Sequence, residues 1–95
     1  MSEKLVLHII YGYDNKDTKL EDREVIFKTH SYQEVSDLFN ALINLQFIED
    51  VATIGYSPKD AFALIHSCLD EIETRFGVKN VLGYFKFKHE TYFIC

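Results

Sequence analysis

His66, Ser67 and Cys68 stand side by side, and a nucleophile next to a histidine is where covalent catalysis usually begins. The segment around them has helical spacing, and helical neighbours point about 100° apart, so these three cannot form a relay among themselves. His66, Asp70 and Glu73 follow at intervals of four and three, the spacing at which helical side chains can meet over one ion. The plainer reading is an exposed helix flank with a histidine beside acids. Glu49-Asp50 and Asp70-Glu71 are adjacent acid pairs. General acid–base work needs carboxylates held in a protected site, whereas adjacent acids on an exposed element mainly solvate it. Gly12, Gly55, Gly77 and Gly83 are scattered, so no glycine-rich loop can converge backbone N–H groups on a phosphate. No catalytic residue, metal ligand or cofactor is expected.

One segment suggests nucleic acid. In Gly83-Tyr84-Phe85-Lys86-Phe87-Lys88, alternation would place Tyr84, Lys86 and Lys88 on one face of a strand, where a tyrosine can stack a base and a lysine can touch a phosphate. The net charge of −5 opposes the phosphate attraction that dominates such binding. Structural aromatics in a strand are the favoured reading, and this face is the second choice for a binding surface.

Charge is distributed unevenly. Glu34 to Glu73 holds eight acids and one base, a net of −7, while the rest of the chain has seven acids and nine bases, a net of +2. The acidic stretch is the helical one. Its simplest role is a solvated surface that keeps a small domain in solution. Its sharper role is an electronegative face for a basic protein partner. The candidate contact residues are Asp37, Asp70, Glu71, Glu73, Glu49 and Asp50. The expected function is therefore a small non-catalytic interaction module. It would act as an inhibitor of the anti-defence, immunity or antitoxin type, of phage or mobile-element origin, and cover a nucleic-acid-binding surface of its partner. The alternative is a homo-oligomeric module, a homodimer in which Tyr11, Tyr13, Phe93 and Ile94 meet across a two-fold axis.

The elements that must position these residues follow from periodicity. Leu5 to Tyr13 alternates with apolar residues on both faces, which predicts a central strand. Asp14 to Lys19 is a polar turn, and Arg23 to His30 is the return strand of a hairpin. Ser31-Tyr32-Gln33-Glu34 is a capping box that opens a first helix, with Val35, Leu38, Phe39, Leu42 and Leu45 at helical spacing and an end near Gln46. Residues 51–56 read as a short strand. Ser57 and Pro58 open a second helix, in which Phe62, Ile65, Leu69, Ile72 and Phe76 form the apolar stripe, and Gly77 stops it. Val81 to Cys95 reads as a second hairpin turning at Lys88-His89-Glu90-Thr91.

The order is then ββα(β)αββ. This predicts one α+β domain over 1–95, a two-layer sandwich with a mostly antiparallel sheet and two helices on one face. Ninety-five residues suit a single core, and eight Phe and six Tyr can fill it. No apolar run reaches the roughly 20 residues of a membrane span. The N-terminus lacks the pattern of a signal peptide, so a cytoplasmic location is the expectation. Cys68 is then a free thiol, with no disulfide to Cys95.

Overall fold

The computed structural model describes residues 5–55 and 57–94. Met1–Lys4, Tyr56 and Cys95 lie outside the described residues, and with them the readings placed there: the signal-peptide pattern, the end of the 51–56 strand and the partner of a disulfide.

The described residues form a three-stranded antiparallel sheet with two helices packed on it. Strand β1 (Leu5–Tyr13) leads through a polar connection, with one 3₁₀ turn at Leu20–Asp22, into β2 (Glu24–Thr29). Helices α1 (Tyr32–Gly55) and α2 (Pro58–Phe76) follow, and the chain returns as β3 (Lys86–Ile94). The strand order is β2-β1-β3, so β1 is central, as its two apolar faces require. β1 and β2 pair from His8↔Thr29 to Gly12↔Glu24, with an irregularity between Ile10 and Tyr11. β1 and β3 pair along their whole length, from Leu5↔Ile94 to Tyr13↔Lys86.

The helix side of the sheet carries Ile10, Phe27 and Phe87. They join Val35, Leu38, Leu42 and Leu45 of α1, Ile72 of α2, and Val78 and Val81 of the connection to β3 in one core. Both helices start at a serine. Ser31 Oγ accepts from Glu34 N–H at 3.2 Å, and Ser57 Oγ accepts from Asp60 N–H at 3.3 Å. Gly77 ends α2 with φ 70°, a conformation that glycine adopts without steric cost, and its N–H bonds the Glu73 carbonyl at 2.8 Å.

Two expectations are corrected. Residues 51–55 are not a strand; α1 runs through them to Gly55 instead of ending near Gln46. No Gly or Pro stands between Tyr32 and Ile54, so nothing stops the helix. The β-branched Val51, Thr53 and Ile54 suggested a strand, but propensity is a weak prior. The segment after Val81 is also not a hairpin but one nine-residue strand, β3. Its supposed turn, Lys88-His89-Glu90-Thr91, contains no Gly, Pro, Asn or Asp, and these residues pair with β1 without a register shift.

These corrections change the shape. An α1 of 24 residues is about 36 Å long, against about 30 Å for a nine-residue strand. Its buried residues with described side chains all precede Gln46. Beyond them the helical pair extends past its core, and the molecule measures 56 × 30 × 17 Å along its principal axes.

Candidate interaction surfaces

The helical pair is the acidic surface. α1 and α2 together hold eight acids and two bases, Lys59 and Arg75. The six candidate acids do not form one patch. Asp37 and Glu71 meet at Arg75, at 3.9 and 3.5 Å, where α1 and α2 lie side by side. Asp37 also accepts from Gln33 Nε2 at 2.9 Å. Glu73 pairs with Lys79 at 3.4 Å. Exposed pairs of this kind contribute at most about 1 kcal/mol. Their carboxylates are held loosely and stay open to a better-placed cation. Asp70 and Glu73 line an open groove of about 420 Å³ with His66, Leu69, Val78 and Lys79. Glu49 and Asp50 sit roughly three helical turns from Asp37 along α1. Partial burial raises the Glu49 pKa, and the charge of Asp50 adds to it.

The residues considered for chemistry are dispersed. The His66 ring packs on Phe62, with 4.1 Å between ring centroids. Burial, then Glu71, pushes the Cys68 thiol up, which disfavours the thiolate a nucleophile needs. Among the described residues no group of three or more His, Cys, Asp or Glu side chains could hold a metal ion.

Tyr84 stands apart from Lys86 and Lys88. It precedes β3, and its ring covers Gly12 on the helix side of the sheet. Its hydroxyl donates to Glu24. Burial first, and then Glu24, pushes its pKa up to about 12. Lys86 and Lys88 instead pair with Tyr13 and Tyr11 and so share the outer face of the sheet.

That outer face is covered by the chain's own long side chains. Arg23, from the β1–β2 connection, lies over the Tyr11 ring at 3.6 Å. It donates to the hydroxyls of Tyr13 and Tyr92 at 3.3 and 3.4 Å and pairs with Glu90. The Tyr13 hydrogen bond raises its pKa further above an already high value, as does the charge of Glu90. Lys86 sits 4.7 Å from the Tyr13 ring centroid. Two tyrosine faces are thus occupied by cations, and a stacking base would have to displace them. Ile9 and Tyr13 are buried although, among the described residues, no helix covers this side.

On the helix side, His8 is buried beneath the start of α1. Its Nδ1 lies 3.1 Å from His89 Nε2 and 3.2 Å from Thr91 Oγ1, and the Tyr32 ring packs edge-on against it. Burial, then the charge of His8, lowers the His89 pKa. Neither this cluster nor the Arg23 hub was singled out from sequence. The parity of Tyr11, Tyr13 and Tyr92 is readable, but it becomes a shared face only once β3 is known to be one strand beside β1. Arg23 lies in a connection, whose course no periodicity gives.

No protein-family model matches the sequence, and no curated protein or solved structure matches it either.

Proposed function

We propose that this chain is a non-catalytic protein-interaction module that presents its acidic helical pair to a basic surface of a partner protein, in the manner of a small cytoplasmic inhibitor. The observation that carries the reading is the surplus of eight acids over two bases on α1 and α2. It stands beside apolar groups at the overhanging end of the same helices: Ile54 is 87% exposed and Phe62 65%. An apolar centre with a charged rim is the anatomy of a protein interface. A rim of one sign speeds encounter with a partner of the other sign and excludes like-charged competitors. Arg75 and Lys79 hold Asp37, Glu71 and Glu73 only through exposed pairs, so a partner arginine can replace them at small cost.

The test is a capture experiment with immobilised wild-type protein and a variant carrying Asp70→Asn, Glu71→Gln and Glu73→Gln. Wild type should retain a basic protein that elutes as salt rises, and the variant should lose most of it. Equal retention by both would reduce these acids to a solubilising role.

A further inference from the structure

We propose that two copies of this chain associate through β3, in register about a two-fold axis at His89, to form a continuous six-stranded antiparallel sheet. The proposal is independent of the acidic-face reading, because it uses the opposite flank of α1.

Three observations converge on this edge. β3 is nine residues long and, among the described residues, pairs only with β1, so its other side is free to accept a strand. The strand that fits it is its own copy. A two-fold axis perpendicular to the sheet keeps both helix layers on one side, and facing residues must then point to the same side of the sheet. With the axis at Glu90 the two Glu90 carboxylates would face each other, and with it at Lys88 the two lysines would. With the axis at His89, Lys88 faces the partner's Glu90 and Glu90 faces the partner's Lys88. Lys88 makes no ion pair of its own among the described residues. Lysines on an edge repel an arbitrary strand, but this register turns them into specificity.

The second observation is apolar. In the same register Phe85 faces the partner's Phe93. Both are large side chains left exposed, at 54% and 71%, and Phe93 lies on the helix side of β3.

The third lies on α1. Phe39 packs against His89, with ring centroids 6.3 Å apart, so this flank of α1 stands over β3. α2 lies on the other side, against β2, where Phe76 meets Phe27. Ile43 and Phe47 continue the Phe39 flank at four-residue steps, and both are exposed. Gln46 Nε2 donates to the Tyr84 carbonyl at 3.1 Å, which fixes this turn of α1 beside Phe85. The partner's Phe93 would therefore arrive at Phe85 next to Ile43 and Phe47, and the two-fold repeats the cluster. Four exposed apolar side chains per copy and one unmatched lysine are satisfied by a single operation.

The test is the mass in solution across micromolar concentrations by light scattering, together with a crosslinking series in a Cys68→Ser, Cys95→Ser background. Wild type should show twice the 11.1 kDa chain mass. Phe93→Asp and Lys88→Glu should each shift the dimer to monomer with unchanged circular dichroism, since both side chains are exposed in one copy. Under mild oxidation, Phe85→Cys with Phe93→Cys in one chain should crosslink to a covalent dimer, and either single variant should not. A wild-type monomer at high micromolar concentration, or equal crosslinking by the single variants, would overturn the proposal.

Discussion

The guanidinium of Arg23 lies 3.6 Å above the ring of Tyr11 and binds the hydroxyls of two further tyrosines, Tyr13 and Tyr92. One side chain from the β1–β2 connection thus ties β1 to β3: it stacks on Tyr11 and bonds Tyr13, Tyr92 and Glu90. This sheet face needs no second helix layer because Arg23, Lys86 and the tyrosines shield its apolar residues themselves. Arg23→Ala should lower the thermal midpoint. Arg23→Lys should recover only part of the loss, because an ammonium lacks the planar fork that stacks and bonds at once. Equal midpoints for wild type and Arg23→Ala would show that the face is held without it.

Gly12 and Tyr84 fit closely. A Cβ at position 12 would stand 2.7 Å from Tyr84 Cε1 and 3.0 Å from Ile26 Cδ1. Gly12→Ala should therefore cost about 1–3 kcal/mol, as overpacking does. The same displacement should release the Tyr84 hydroxyl from Glu24. In a spectrophotometric titration, the phenol now held to about 12 should ionise earlier in the variant.

The His8–His89 contact makes stability depend on pH. His89 has its pKa lowered in the folded protein, by burial and then by His8. As pH falls through the ordinary histidine value of about 6.5, the unfolded chain binds a proton that the folded chain still refuses. Stability is therefore lost with falling pH until the folded His89 is protonated as well. Thermal midpoints should drop from pH 7.5 to pH 5, and His89→Gln should flatten that part of the profile. Phe39 packs on the His89 ring and Thr91 Oγ1 lies 3.3 Å from its Nε2, and neither supplies a compensating negative charge.

The two halves of α1 should respond differently to truncation. Leu42 is fully buried in the shared core, and Leu42→Ala should cost about 2–5 kcal/mol. Ile54 lies at the overhanging end, and Ile54→Ala should stay within about 0.5 kcal/mol in chemical denaturation. A large loss at Ile54 would place a packing partner on that end within the chain.

The local rules served the sequence reading well. Ser31, Ser57 and Gly77 act where their chemistry placed them, and the double-faced pattern of Leu5 to Tyr13 marked the central strand. It failed where a local pattern has two solutions. Val51, Thr53 and Ile54 are β-branched residues in a helix that has no stop signal before Gly55. Lys86 to Ile94 has four polar residues in its middle, which fit a turn between short strands as well as one continuous strand. The surfaces suffered most, because they depend on register. Tyr84, Lys86 and Lys88 alternate in sequence, but Tyr84 precedes the strand and turns to the helix side. Arg23 reads as the first residue of the return strand, whereas it ends the connection before β2, and its reach across the outer face follows no periodicity. The acidic helices were legible because charge needs only the element and not its register.

The most direct test of the acidic helical face is the salt dependence of binding to the captured partner. Binding should weaken about tenfold or more as salt rises from about 0.05 M to 0.5 M, because exposed charge contacts are screened over that range. The Asp70→Asn, Glu71→Gln, Glu73→Gln variant should bind weakly at every salt. An affinity that stays constant across the series, and is equal in the variant, would contradict the account.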